Sequence, residues 1–388
     1  MTIRGLYVLC LACCAVCLAS CARSASFSPR QVPASDARIK SLRLPAGFAV
    51  NVFARGVSDA RMIAVGPSGV VYVTQPQRNR VTALWDSNHD GRAEAQRAVV
   101  SGISYPHGIT IHANKLYLAA PTRVYVADLQ ADGTVSMPRL LFNGLPPGGR
   151  HPNRTLAFGP DGLLYLSVGS SCNACAEDRP EYASLLRMRA DGSARRIFAR
   201  GLRNTIGFDW HPTTHVLWGM DQGSDDRGAN VPPEELNRLE DGRHYGWPWC
   251  YGKRVVDTLT PGNPPGMTIA QFAATTAPAV LEYQAHSSPI QLLFYTGASF
   301  PATYRHDAFL TFHGSWNRRP SVGYKVVRVR FNAQGEPTGF EDFLTGFLAN
   351  NGQAQFARPC GLAQLGDGSL LIGDDSQGVI YRVSYRGR

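Results

Sequence analysis

Lysine is nearly missing from this chain. Only Lys40, Lys115, Lys253 and Lys325 occur, so 35 of its 39 basic residues are arginines. No basic run exceeds Arg-Arg, and no aromatic RNA-binding signature accompanies them. The formal charge of +10 therefore reads as a solvated basic surface, not a nucleic-acid interface. Long hydrophobic runs are scarce too. The one apolar stretch, Leu6 to Leu18, is too short to span a bilayer comfortably. No long amphipathic helical pattern is present. The single Cys-x-x-Cys, Cys172 to Cys175, has no second pair at the spacing zinc needs and no βαβ context for thioredoxin chemistry.

What is present is a chain of 388 residues, 44% apolar and 18% charged, long enough for a large core. Its 39 glycines and 26 prolines point to many turns. Arg4 and the apolar stretch after it read as an export signal over residues 1–21. The segment ends Leu18-Ala19-Ser20-Cys21, which resembles a bacterial lipoprotein box with Cys21 as the lipidated residue. An ordinary secretory signal cleaved nearby is the other reading. Either predicts an exported protein, and acylated Cys21 would anchor it to a membrane on the periplasmic side. Residues 22–40 read as a flexible tether. Beyond Cys21, four cysteines remain for an oxidising compartment. Cys172 with Cys175 is expected to close a local loop disulfide, and Cys250 with Cys360 is a candidate second pair, although spacing does not set connectivity.

A motif recurs along the chain: a turn rich in Gly, Asp, Asn or His, then an alternating strand. It begins at Gly66, His112, Gly159, His211, His306 and Gly366. The first three intervals are 46, 47 and 52 residues, the length of one four-stranded blade. The fourth, 95 residues, implies an insertion around 225–285. Period-two strands such as Arg80–Trp85 follow the turns. The expected fold is all-β, a six-bladed β-propeller over residues 41–388, with function carried by loops at one end of the central channel.

Several segments then carry polar chemistry: His151 through Gly162, Gly201-Leu-Arg-Asn204, Asp221-Gln-Gly-Ser-Asp-Asp226, Glu235-Leu-Asn237 and Tyr245-Gly-Trp-Pro248. In this order they resemble the soluble pyrroloquinoline-quinone (PQQ) dependent sugar dehydrogenases, over roughly residues 41–388. The Gly169–Cys175 loop and Phe312-His-Gly-Ser-Trp-Asn317 resemble the L-sorbosone dehydrogenase branch more than the glucose enzymes. The resemblance implies PQQ, a planar quinone with three carboxylates, and a calcium ion. His151 matches the general base, a role suited to neutral imidazole; otherwise it would read as a surface-turn histidine. Arg203 and Asn204 match the pair beside the quinone, with Arg203 stabilising developing oxyanion charge. Gly223 and Ser224 match positions whose carbonyls hold calcium. Arg358, and less directly Arg318, match contacts to cofactor carboxylate. Trp316 is a stacking candidate, and His107 falls near a substrate contact. His286 and His313 have no assigned role. Arg150 stands where the glucose enzymes carry an acidic neighbour, and their cofactor-gripping lysine has no match.

The expected activity is oxidation of the C1 hydroxyl of an aldose, or of an aldehyde hydrate such as sorbosone, with electrons passed to a quinone or cytochrome. Two other readings stay open. A metal-dependent sugar lactonase on the same architecture would use Asn204, Asp221 and Glu235. A non-catalytic propeller would bind glycan or protein. Separately, Asp86-Ser-Asn-His-Asp-Gly91 with Glu94 follows the opening of a calcium loop, but Arg97 occupies its twelfth position, so a non-binding turn remains the alternative.

Overall fold

A computed structural model describes residues 27–387. It is nearly all β, with six four-stranded antiparallel sheets that follow one another in sequence. Their innermost strands are Ile63–Val65, Gly108–His112, Leu156–Phe158, Gly207–Trp210, Pro289–Phe294 and Pro359–Gln364. Each of the six repeated turns joins an innermost strand to the second strand of its sheet. Three of the turns end in glycines with left-handed backbone, Gly69 (φ 81°), Gly162 (φ 74°) and Gly368 (φ 82°), where a side chain would be strained.

The second strands, such as Val71–Gln75 and Leu164–Val168, are buried along their whole length. Both of their faces pack between neighbouring sheets, so even their polar residues, such as Thr74, Gln75 and Ser167, are buried. Leu116 and Leu118 join Tyr72 and Val81 in one cluster between the first two sheets. Tyr165 and Phe198 join Phe208 and Leu217 between the third and fourth. The sixth sheet is completed by Phe48–Ala54, which pairs with Val379–Tyr385. A strand from near the start of the chain thus closes a sheet made by its end.

The extra length in the fourth repeat falls between that sheet's third strand, Glu234–Arg238, and its fourth, Leu281–Tyr283. It holds a short hairpin, Cys250–Tyr251 with Val255–Val256, and a helix, Ile269–Thr275, closed at its start by a capping box of Thr268 and Gln271.

Two expectations are corrected. Residues 30–40 are not a flexible tether. Arg30–Gln31 pairs with Ala354–Gln355, and Ser35 caps a helix over Asp36–Lys40. Val32, Ala34 and Ile39 are buried in the core of the fifth and sixth sheets, and this apolar contact docks the segment. Cys250 and Cys360 are not bonded to each other; both are free and buried. Cys250 lies against Phe272 in the excursion, its Sγ 3.7 Å from Thr276 Oγ1. Cys360 sits in a different cluster and donates to the Ala60 carbonyl at 3.0 Å. Cys172 and Cys175 do form the expected loop disulfide. Cys21 and the signal segment lie outside the described residues. Among the described residues no helix is long and apolar enough to cross a membrane.

Candidate active site

The loops entering the innermost strands, and those linking second to third strands, converge on a cavity of about 250 Å³ lined by His151, Arg203, Asn204, Gly223 and Trp316 together with Arg61, Arg150, Asp225, Glu234, His286 and His313. Each side chain is held by a local device. His151 precedes the third sheet, in a loop pinned by Arg154. That guanidinium is fully buried and donates to the carbonyls of Pro121, Pro146, His151 and Asn153 at 2.8–3.1 Å. Five N–H donors suit a loop whose carbonyls find no strand partner.

The imidazole of His151 is oriented from the other side. Its Nδ1 lies 3.1 Å from the Ser170 carbonyl and 2.9 Å from Ser170 Oγ. The Ser170 hydroxyl gives its one proton to the Cys172 carbonyl at 2.7 Å. Both Ser170 oxygens therefore present lone pairs to Nδ1, which must be the donor. Nε2 is left as the basic nitrogen, with no protein partner among the described residues. Burial, then the nearby Arg203, push the His151 pKa down to about 3, with Arg150 a lesser cause. The ring is neutral at any physiological pH.

The loop that supplies Ser170 and Cys172 is stapled twice. The disulfide closes it at 172–175, and Glu177 accepts from Ser171 N and Oγ at 2.8 and 2.6 Å. Gly169 leaves room for the imidazole, since a Cβ there would come within 2.6 Å of the His151 Cβ and 2.7 Å of Asn204 Oδ1. Asn173, at the loop tip, is a hub. Its carbonyl accepts from Arg203 Nε (3.0 Å), Trp247 Nε1 (3.2 Å) and Ser224 Oγ (3.3 Å). Its Oδ1 accepts from Arg203 Nη2 and from Asp225 N, both at 2.8 Å.

Arg203 is 3% exposed and also pairs with Asp225 at 3.1 Å, a carboxylate it shares with Arg150 at 3.0 Å. The turn carrying Arg203 and Asn204 is fixed by Asp221, which accepts from both backbone amides at 2.9 and 2.8 Å and from Thr205 Oγ1 at 2.7 Å. Burial raises the Asp221 pKa to about 6. Asn204 Nδ2 donates to Gln222 Oε1 at 2.9 Å.

Gly223 and Ser224 lie in the loop between the second and third strands of the fourth sheet. Neither carbonyl accepts a hydrogen bond among the described residues. Beside them the buried Glu234 accepts from Gly223 N at 3.0 Å and Ser288 N at 2.8 Å, and burial pushes its pKa up to about 8. Free carbonyls next to a carboxylate short of a counter-charge are a donor set that fits a hard cation.

The remaining sequence candidates are placed as follows. Trp316 stands at the rim, 43% exposed. Arg358 lies behind the wall, donating to the His313 and Gly314 carbonyls at 3.2 and 2.8 Å. Arg318 is engaged elsewhere, with the Ala229 and Ala285 carbonyls and Asn230. Its guanidinium braces loops and does not line the cavity. His107 is fully buried beneath the cavity, between Arg61 and the Arg154 carbonyl. The carboxylates of Asp86, Asp90 and Glu94 do gather within 4.8 Å of one another, on an exposed loop between Trp85 and Ala95.

The TrAA12-like family profile matches residues 42–386 of this chain. The chain belongs to that family. An uncharacterized protein of Borreliella burgdorferi is 28% identical over 369 residues, 89% of this chain and 91% of the relative. A PQQ-dependent pyranose dehydrogenase of Coprinopsis cinerea is 25% identical over 398 residues. That match takes in 87% of this chain but 54% of the relative, so the chain spans about half that enzyme's length. The calcium structure of a Trichoderma reesei family AA12 carbohydrate-active enzyme superposes with a TM-score of 0.77 at 22% identity, covering 89% of this chain and 97% of that one. The holo PQQ domain of the Coprinopsis cinerea pyranose dehydrogenase gives 0.73 at 23% identity, covering 88% and 97%. The TrAA12-like chain therefore shares their fold.

Sequence reasoning about this TrAA12-like protein missed Ser170, Asn173, Asp225, Arg61 and Asp375. Ser170, Asn173 and Asp225 sit inside the quoted segments, so their position was a usable signal. Arg61 and Asp375, 314 residues apart, carried none.

Proposed function

We propose that this protein is an exported quinoprotein dehydrogenase on a six-bladed propeller, its six sheets being the blades. It oxidises the C1 hydroxyl of an aldose, or an aldehyde hydrate such as sorbosone. One observation carries the reading: a neutral histidine, tautomer set by Ser170, presents Nε2 to a cavity it shares with a rigid buried arginine.

In this reading His151 Nε2 takes the C1 hydroxyl proton as the C1 hydride departs and the C1=O bond forms. When bound, PQQ supplies the two-electron acceptor for that hydride. Arg203, held by Asn173 and Asp225, directs its remaining N–H toward the oxygen where charge develops. Asn204 completes that side. Gly223 and Ser224 carbonyls, with Glu234 close by, would hold calcium. Trp316 at the rim offers a face for a pyranose ring. Lipidated Cys21 would keep the enzyme at the periplasmic face of a membrane, near a quinone or cytochrome acceptor.

The lactonase reading needs Asn204, Asp221 and Glu235 to converge on one metal. Asp221 is spent on backbone amides, and Glu235 is buried against Gly252 N and Asn237. Only Asn204 of the three reaches the cavity. A binding module would tolerate His151→Ala, whereas the dehydrogenase would lose nearly all turnover.

The test is reconstitution. Apo protein of residues 22–388 takes PQQ with calcium, and the visible spectrum is followed through a panel of aldoses and sorbosone. Conversion of the bound quinone to its reduced form by one sugar supports the reading. Failure to bind PQQ with calcium present overturns it.

A further inference from the structure

A second group of side chains reaches the cavity from the other sheets, and the reading above gives it no role. Arg61, from the loop before the first sheet, and His313, from the fifth, line the cavity, and Asp375 and Arg358 of the sixth stand behind them. His107 supports them from the second.

Arg61 is 11% exposed at its side chain and lines the cavity. Nη1 pairs with Asp375 Oδ2 at 2.6 Å. Nε donates to His107 Nε2 at 3.2 Å, and the other ring nitrogen of His107 faces the Arg154 carbonyl at 3.0 Å. His107 therefore accepts from Arg61 and donates to Arg154, which sets its tautomer. Asp375 is in turn held by His313 Nε2 at 2.8 Å. Two of the guanidinium's three nitrogens are thus committed. Among the described residues Nη2 has no hydrogen-bond partner.

Burial keeps His107 and His313 neutral, with pKa values pulled down to about 3 and about 4. Asp375 answers Arg61, and Asp374 accepts from the Arg358 amide at 2.8 Å. A fixed guanidinium with an open edge at the cavity suits a planar carboxylate.

We propose that Arg61 is a carboxylate-recognition residue of this cavity, with Asp375 and His107 holding its fork in place. The carboxylate belongs either to the cofactor, which rests on the PQQ reading, or to a sugar acid bound as substrate.

The experiment measures binding to the full chain with calcium present. PQQ and its trimethyl ester are titrated by fluorescence quenching, and glucuronate and glucose by calorimetry on protein with and without PQQ. Wild type is compared with Arg61→Met and Arg61→Lys, and thermal melting of each apo protein checks folding. If the cofactor supplies the group, Arg61→Met weakens PQQ about 10- to 100-fold while the ester is unchanged. If a sugar acid supplies it, PQQ affinity holds and the preference for glucuronate over glucose disappears. Arg61→Lys keeps charge but not the fork, and is expected to lose affinity to an intermediate extent; it decides the matter if the Met variant melts early. Failure of wild type to bind PQQ removes the functional reading, and the glucuronate titration then decides Arg61 alone. Unchanged binding of both carboxylates in a folded variant overturns the proposal and leaves Arg61 a structural partner of Asp375.

Discussion

The Ser170→Asp substitution tests the site at its most specific point. In the wild type, two neutral oxygens receive the Nδ1 proton of His151, and burial with Arg203 holds the ring pKa down to about 3. A carboxylate in place of the hydroxyl would sit at hydrogen-bond distance from Nδ1. An opposite charge that close raises an imidazole pKa by about one to three pH units, or about 1.4–4 kcal/mol of preference for the charged ring. Arg203 and Arg150 work against it, so the lower half of that range is expected. The sign follows directly. The base works when neutral, and activity falls as pH drops through its pKa. The acid limb of kcat/KM should therefore rise from near pH 3 to about pH 4–5, with the activity above pH 7 little changed. Ser170→Ala keeps the carbonyl acceptor, and should lower kcat/KM about 3- to 10-fold without moving the limb. The assay is kcat/KM against pH with PQQ and an artificial electron acceptor, alongside an NMR titration of the His151 ring in apo protein. An acid limb and a ring pKa that both stay put, or move down, would refute the assignment of Nδ1 to Ser170.

Other outcomes follow from the same geometry. Arg203→Lys keeps the charge but loses the fork that Asn173 and Asp225 hold, and kcat should fall about 100- to 1000-fold in steady-state kinetics. Opening the 172–175 loop with the double substitution Cys172→Ser and Cys175→Ser should cost roughly 2 kcal/mol in denaturant unfolding on the chain-entropy account. Its effect on kcat should be larger than that of Ser170→Ala, because both Ser170 and Asn173 lose their anchor. Peptide mapping after alkylation without reduction should find Cys250 and Cys360 alkylated and Cys172 linked to Cys175; a 250–360 crosslink would contradict the fold. Trp316→Ala, at the exposed rim, should raise KM for a pyranose substrate several-fold and leave kcat nearly unchanged.

The repeated turns were legible because each combines a sharp reversal with a period-two strand, and both are local. That is why Gly66, Gly159 and Gly366 mark true turns between the first two strands of their sheets, and why Cys172 and Cys175, three residues apart, could be paired in advance. The segment 30–40 was misread because composition is polar overall, while three spaced apolar residues, Val32, Ala34 and Ile39, supply the contact that docks it. The Cys250–Cys360 pairing failed for the opposite reason. An even count of cysteines says nothing of distance, and these two are buried in separate clusters. Arg318 and Arg358 were both sound as carboxylate-binding types, yet one proved to brace loops and the other to stand behind His313.

By itself the sequence determined the β architecture, the repeat length and the loops that carry polar side chains to the cavity, and it put His151 and Arg203 forward as candidates. All of these depend on patterns within a few tens of residues. The tertiary structure alone decided which side chains face the cavity, which nitrogen of His151 is basic and what fills the wall across the first, fifth and sixth sheets. Those depend on Ser170 turning its proton to Cys172, on Asp375 meeting Arg61 across the length of the chain, and on burial that neutralises three histidines. Hydrogen-bond direction and desolvation are properties of packed neighbours, and packed neighbours here come from opposite ends of the sequence.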